Sequence, residues 1–142
     1  ADPGGTLLFF DWLTPGRVAS GEVFRYVDLR WDLDAFANGR LIARERYCLS
    51  PDDSSLETLH FLYPQAHYVS CVVLSSAAPP FAEVESLNSS QVYLGHGPLC
   101  EGGWTIKALC ADSLSARHTL RNLRKIVYQA LQRPLPNLGR LM

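Results

Sequence analysis

Residues 27–35 alternate between apolar and charged side chains, and no other feature constrains the fold as strongly. The apolar members are Val27, Leu29, Trp31, Leu33 and Ala35, with Asp28, Arg30, Asp32 and Asp34 between them. A period of two is typical of a β-strand with one buried side and one solvent-facing side. Residues 41–49 alternate in the same way after a turn segment, residues 37–39. The sequence therefore predicts an antiparallel hairpin.

The length of the turn decides which residues of this hairpin face each other. A three-residue turn at 37–39, with its glycine in the left-handed conformation, brings the two apolar sides together and sets Asp32 opposite Arg44. A two-residue turn would change the parity and place Trp31 opposite an arginine. We therefore predict the three-residue turn. This register leaves Glu45 beside Trp31 on the apolar side, where it lies at an open edge or has a partner.

Other segments rich in large apolar or β-branched residues, bounded by turn residues, also indicate strands. The predicted strands are residues 6–14, 68–75, 91–94 and 104–110, and a glycine-rich link, residues 95–103, joins the last two. Residues 56–62 fit a helical turn or a strand, and residues 81–88 fit a short helix. The expected fold class is α+β and mainly β, with antiparallel strands, one long C-terminal amphipathic helix and a possible second short helix.

The C-terminal helix is predicted from an apolar stripe with a capping residue before it. Asp112 or Ser113 can cap its start, and the stripe consists of Leu114, Leu120, Leu123, Val127 and Leu131. The opposite side is basic, with Arg117, Arg121, Arg124 and Lys125. Such a side is either a solvated surface or a docking surface for an acidic protein partner.

Composition limits the classes of protein that remain. A chain of 142 residues, 47% apolar and 19% charged, fits one domain spanning residues 1–142 and excludes a disordered chain. No apolar run approaches the length of a membrane span. The net charge of -1 gives no overall field for nucleic acid, although residues 112–142 are basic. Four cysteines without a C-x-x-C pair fit reduced thiols in a cytoplasmic protein.

Residues that could carry chemistry are few. The nucleophile elbow, the H-E-x-x-H zinc motif and the phosphate-binding loop are all absent from the sequence. His96 and Cys100 form the one close mixed pair of metal-ligating types, and Cys110 could supply a third ligand. The alternative is a loop histidine with a buried thiol.

Gly16, Arg17, Gly21 and Glu22 form a different kind of candidate. Two glycines five positions apart, with an arginine and a glutamate in the same frame, fit a shaped connection in which Arg17 and Glu22 pair. If that pair holds the connection, replacing Glu22 with lysine should loosen the fold. An ordinary turn with a surface ion pair is the alternative.

Three segments resemble the family of urease accessory proteins called UreD or UreH. Residues 8–24 resemble that family's apolar strand followed by G-R-x-x-x-G-E. Residues 38–46 resemble its hairpin, which has a glycine turn and a following acidic position. Residues 104–113 resemble the strand that leads into the late helix of the family. Together they cover about half of the chain. Family members are nearly twice as long, so the resemblance is to their C-terminal half. Their usual ending, Pro-Arg, an apolar residue and Trp, is replaced here by LGRLM. The chain is either a fragment or a shortened relative.

The resemblance implies a β-rich scaffold with two helices and no turnover of its own. Such a protein helps to mature urease by delivering nickel, binding apo-urease and the UreF-type and UreG-type accessory proteins in the cytoplasm. It holds no stable cofactor and meets nickel only transiently. Two other functions stay open, namely a metal-dependent enzyme that uses His96, Cys100 and Cys110, and a β-rich binding module unrelated to urease.

Overall fold

A computed structural model describes residues 5–25, 27–50 and 54–137, with side chains from residue 58 onward in the last of these ranges. The sequence ending noted above, residues 138–142, lies outside the described part. Within it, no helix has the length and apolar character needed to cross a membrane.

Strands dominate the described structure, as the sequence predicts. They are β1 (Leu7–Leu13), β2 (Gly16–Arg17), β3 (Glu22–Val23), β4 (Leu29–Ala37), β5 (Arg40–Leu49), β6 (His67–Leu74), β7 (Val92–Pro98) and β8 (Trp104–Cys110). The helices are α1 (Ser54–Leu62), α2 (Phe81–Glu85) and α3 (Ser113–Ala130), with a 3-10 turn at Val18–Ser20. The α+β, mainly β class with a long C-terminal helix is confirmed. The predicted glycine-rich link begins too early, because β7 continues to Pro98.

A four-stranded antiparallel sheet, in the order β1-β6-β8-β7, forms the middle layer. Its inner strand β6 is buried on both sides. Val69, Cys71 and Val73 belong to the larger apolar core with α3, whereas Val72 and Leu74 pack with residues of the β4–β5 hairpin. The molecule therefore has three layers, with a helix on one side of the sheet and a hairpin on the other.

Helix α3 begins where the sequence predicts. The side chain of Asp112 accepts a hydrogen bond from the backbone N–H of Ser115 at 2.7 Å, and the Ser115 hydroxyl completes a capping box. The buried side consists of Ala116, Thr119, Leu120, Leu123 and Val127. Leu114 does not belong to the buried stripe and is 63% exposed, because it precedes Ala116 by two residues and so lies on the opposite side of the helix.

The β4–β5 hairpin has a two-residue turn, so the predicted three-residue turn is wrong. Asn38 and Gly39 both have positive φ, 50° and 75°, as a tight hairpin turn requires. The expected change of parity does not follow, because the register shifts after Ala35 and leaves Ile42 as an extra residue of β5. The bulge restores the common apolar side of the two strands.

The new register also changes the charged pairs on the outer side of the hairpin. Asp32 faces Arg46 and Asp34 faces Arg44, instead of the predicted pair of Asp32 with Arg44. The strand begins later than the alternation does, since Val27 precedes β4 and is 93% exposed. The apolar side remains as predicted.

Candidate functional site

A polar cluster around a buried carboxylate lies between the hairpin and the central sheet. We call it the Glu45 cluster, and it consists of Glu45, Tyr47, Tyr68, Ser70 and Lys107. Strand β5 points Glu45 toward the sheet, where it is only 7% exposed. Ser70 and Lys107 meet it there because they face each other across β6 and β8. The sequence left Glu45 at an open edge or with a partner, and the structure gives it several partners.

Every polar group of the Glu45 cluster takes part in one network. Lys107 Nζ lies 3.1 Å from Glu45 Oε1. Oε2 accepts a hydrogen bond from Ser70 at 3.3 Å and a second one from the hydroxyl of Tyr47. The Tyr47 hydroxyl also lies 2.9 Å from that of Tyr68, and the two rings meet edge to face. The network satisfies a carboxylate that would be costly to bury alone.

Burial and the carboxylate together set the protonation of the neighbours. Burial, followed by the hydrogen bond to Glu45, raises the pKa of Tyr47, and burial raises the pKa of Tyr68, so both hydroxyls stay protonated. Burial lowers the pKa of Lys107, but the hydrogen bond to Glu45, the neighbouring Tyr68 and the charge of Glu45 together outweigh burial, and the pKa is raised. The cluster thus contains a lysine cation at neutral pH.

A second carboxylate lies beside the cluster. Asp11 of β1 faces Ser70 of β6, on the same side of the sheet as Lys107. Its pKa is raised by burial and, to a smaller extent, by the charge of Glu45. Two carboxylates and one ammonium group therefore lie on this side of the sheet. The carboxylate oxygens of Glu45 and Asp11 are the candidate cation ligands there.

An apolar pocket of about 150 Å³ adjoins the cluster. Tyr47 and Tyr68 form part of its wall, and Phe24, Leu49 and Leu109 form further parts. Phe24 adopts a left-handed backbone with φ of 53°. Its N–H donates a hydrogen bond to the carbonyl of Pro15 at 2.6 Å. The connection that contains Gly16 and Gly21 therefore ends at Phe24, in the wall of the pocket.

Comparisons with known proteins bear on the family of the chain. The family model described as UreD urease accessory protein matches residues 1–140. The chain belongs to the UreD urease accessory protein family. It is 31% identical over 129 residues to urease accessory protein UreD of Opitutus terrae, covering 88% of the chain and 47% of that relative. The UreD protein of Herpetosiphon aurantiacus is 32% identical over 151 residues, covering 99% of the chain and 52% of that relative.

The lengths of these UreD relatives differ from that of the chain. The chain spans about half the length of the relatives it matches, and the same holds for UreD of Acetivibrio thermocellus, which is 25% identical and half covered. The family membership suggested by the G-R-x-x-x-G-E motif is confirmed.

The G-R-x-x-x-G-E frame of this UreD chain forms a short hairpin between β2 and β3. Arg17 and Glu22 face each other and make a bidentate ion pair, with Nε–Oε2 at 2.6 Å and Nη2–Oε1 at 2.8 Å. Gly21 ends the 3-10 turn in the left-handed conformation. Gly16 has a φ of 113°, and a Cβ there would lie 2.3 Å from the backbone oxygen of Glu22. The conformation of this short hairpin therefore depends on its two glycines as well as on its ion pair.

The position of the ion pair changes what we expect from Glu22→Lys. The side chains of Arg17 and Glu22 are 76% and 42% exposed, and exposed ion pairs contribute about 0–1 kcal/mol. We expect Glu22→Lys to shift the free energy of unfolding by about 1 kcal/mol or less, whereas Gly16→Ala should cost about 2–3 kcal/mol through backbone strain and the close contact. Urea unfolding of both variants measures this. An equal loss in the two variants would contradict the assignment.

The predicted metal pair of His96 and Cys100 has two separate environments. His96 stacks on Phe81 with ring centres 4.2 Å apart, and its Nε2 lies 2.9 Å from a carboxylate oxygen of Glu85 on α2. The Cys100 thiol lies 4.0 Å from the backbone oxygen of Ile42 in the hairpin. Within the described residues, no group of three His, Cys, Asp or Glu side chains is arranged to hold a metal. A site at His96 and Cys100 stays a prediction.

The structure also shows where the third ligand proposed for that site and the basic side of α3 lie. Cys110 is buried in the core with α3, where burial raises the pKa of its thiol. On α3, Arg117, Arg121 and Lys125 are exposed, as predicted. Arg124 is half-buried, and its guanidinium lies 3.4 Å from the backbone oxygen of Pro136.

Sequence reasoning missed a buried histidine on the helix side of the sheet. His67 is 4% exposed, and its Nδ1 accepts a hydrogen bond from the indole N–H of Trp12 at 3.0 Å. This arrangement requires Nδ1 to be unprotonated, so the proton of the neutral ring is on Nε2, which has no partner in the described part. Burial lowers the pKa of His67, although the charge of Asp112 opposes this effect.

The lowered pKa of His67 makes stability depend on pH. Above pH 6.5, the ordinary value, both folded and unfolded chains carry a neutral ring. As pH falls below that value, the unfolded chain takes up the proton first, so the free energy of unfolding decreases. We expect His67→Gln to weaken this decrease, while His118→Gln at an exposed position of α3 leaves it unchanged. Thermal unfolding between about pH 5 and pH 8 tests this; equal profiles for the native chain and His67→Gln would contradict it.

Proposed function

We propose that the chain is a non-catalytic scaffold that assists nickel delivery into apo-urease. The observation that carries the proposal is the Glu45 cluster, in which a buried carboxylate lies inside a member of the UreD family. Glu45 and Asp11 place carboxylate oxygens on one side of the sheet. Carboxylates suit Mg²⁺, Ca²⁺ and Mn²⁺ better than Ni²⁺, for which imidazole is the usual ligand, so a nickel ion would be held here only weakly. Family membership supports a role in urease maturation, and the cluster is where a passing cation would find ligands.

Lys107 supports transient rather than permanent binding. Its ammonium group already neutralises Glu45 at 3.1 Å, so an incoming nickel ion has to displace it or share the carboxylate. The competition lowers the net gain on binding a cation, because the ion pair must be given up. We therefore propose that nickel is passed along and that no cofactor is held stably. The same competition would make release easier as Lys107 returns.

The partners follow from the family and stay part of the proposal. We propose that the chain associates with apo-urease and with UreF-type and UreG-type accessory proteins in the cytoplasm. Nucleic acid is not among the proposed partners, because the net charge is -1. A membrane is not among them either.

Affinity purification tests the proposed association. The tagged chain is incubated in the presence of nickel with purified apo-urease and, separately, with a UreF-type protein. The nickel content of each eluate is then measured. Glu45→Gln is compared with Glu83→Gln, which removes an exposed carboxylate on α2. Association by all forms, with less nickel in the Glu45→Gln eluate alone, is the expected result. Failure of the native chain to associate with either protein would overturn the proposal.

A further inference from the structure

The solvent-facing side of α3 carries a row of cations beside an exposed leucine. Arg117, Arg121 and Lys125 follow one another at four-residue steps and are exposed, so each lies about 6 Å from the next along the helix axis. Leu114, 63% exposed, lies one turn before Arg117 on the same side. We call these residues the α3 stripe. The side of the helix that packs on the sheet is the opposite one.

The cations of the α3 stripe lack the acidic neighbours that the arginines of the β4–β5 hairpin have. On the hairpin, Arg44 pairs with Asp34 and Arg46 pairs with Asp32. Among the described residues, the three cations of the stripe make no ion pair and no side-chain hydrogen bond. Residues 113–142 contain no aspartate or glutamate. The exposed hairpin is covered with paired charges, whereas the charge of the α3 stripe is left uncompensated.

We infer that the α3 stripe docks an acidic helical segment of a partner protein. A helix with carboxylates at four-residue steps repeats at the same spacing of about 6 Å, so three ion pairs can form without distorting either helix. The row spans two steps, which is about 12 Å. Charge complementarity of this kind speeds association and fixes the register of the two helices.

Two features favour an acidic protein over a nucleic acid. Residues 1–111 contain thirteen acidic and seven basic side chains, so most of the chain repels an extended polyanion and only the stripe attracts one. Leu114 adds an exposed apolar contact at the end of the row, and an apolar side chain of a partner helix would match it. The complementary segment therefore carries an apolar residue one turn beyond its row of carboxylates.

An NMR titration with a synthetic peptide tests the inference independently of any role in nickel delivery. The peptide is helical, with glutamate at three successive four-residue steps and leucine one turn beyond, and a shuffled peptide of the same composition is the control. We expect amide shifts along the exposed side of α3 that saturate with the designed peptide below about 1 mM. The shuffled peptide should bind at least fivefold more weakly.

Matched variants locate the binding surface. Arg121→Glu should weaken peptide binding at least fivefold, whereas Arg25→Glu, the same charge change at an exposed position outside the stripe, should leave it within twofold. A variant with Arg117, Arg121 and Lys125 all replaced by glutamate should no longer bind the glutamate peptide. It should instead bind a peptide in which the three glutamates are replaced by lysine. Circular dichroism checks that the variants keep their helix.

Three outcomes would overturn the inference. The first is an absence of shifts on α3 at millimolar peptide. The second is equal weakening by Arg121→Glu and Arg25→Glu, since that would reflect net charge alone. The third is tighter binding of a single-stranded oligonucleotide than of the designed peptide, which would assign the stripe to a nucleic acid.

Discussion

Lys107→Met is expected to lower the free energy of unfolding by about 2–3 kcal/mol at neutral pH. The change leaves the carboxylate of Glu45, 6% exposed at its side chain, without a countercharge, and an uncompensated buried charge is strongly destabilising. Methionine keeps the apolar stem of the lysine, so loss of packing contributes little. Urea unfolding at neutral pH measures the loss.

Glu45→Gln is the matched control for this prediction. The amide retains hydrogen-bonding capacity toward Tyr47 and Ser70, and the lysine left behind is 45% exposed at its side chain and can be hydrated. We expect a loss of about 1 kcal/mol. A smaller loss for Lys107→Met than for Glu45→Gln would show that Lys107 is not the countercharge that the cluster needs.

Gly103→Ala is expected to be more damaging, with a loss of about 4 kcal/mol or more. A Cβ at Gly103 would lie 2.1 Å from the backbone oxygen of Val73 and 3.0 Å from Cα of Leu74. Both atoms belong to β6, an inner strand of the sheet, so neither can move without disturbing the pairing of β6 with β1 and β8. The φ of 100° adds conformational strain to this collision.

The adjacent glycine separates collision from strain. Gly102 also has a positive φ, 90°, but a Cβ there would approach no atom closer than the backbone oxygen of Ser75 at 3.8 Å. Gly102→Ala should therefore cost only the strain, about 1–2 kcal/mol. Thermal unfolding of the two variants gives the comparison. Equal losses would mean that the close approach of residue 103 to β6 contributes nothing.

Side-chain periodicity predicted most of the strands, because a strand with one buried side alternates and a central strand does not. The predicted strand at residues 68–75 is nearly all apolar or small, and it corresponds to β6 (His67–Leu74), which is covered on both sides. The hairpin register could not be read from the same pattern. Its bulge at Ile42 is a backbone feature, and it compensates a two-residue turn that the alternation alone would exclude.

The candidate site was only partly visible in the sequence. Glu45 stood out because a charged residue occupied the apolar side of a predicted strand. Lys107 gave a weaker signal of the same kind, being the one charged residue within β8. Their contact depends on how the hairpin lies on the sheet, which strand periodicity does not specify. The Arg17–Glu22 pair, by contrast, is local and was predicted from its spacing.

The chain's effect on nickel insertion tests the central claim most directly. Apo-urease is incubated with UreF-type and UreG-type proteins, GTP and nickel, with the native chain, with Glu45→Gln, with Glu83→Gln or without the chain, and the nickel bound to the re-purified urease is measured. The proposal predicts that the native chain and Glu83→Gln raise the nickel content, and that Glu45→Gln raises it much less. An equal nickel content with and without the native chain would contradict the account.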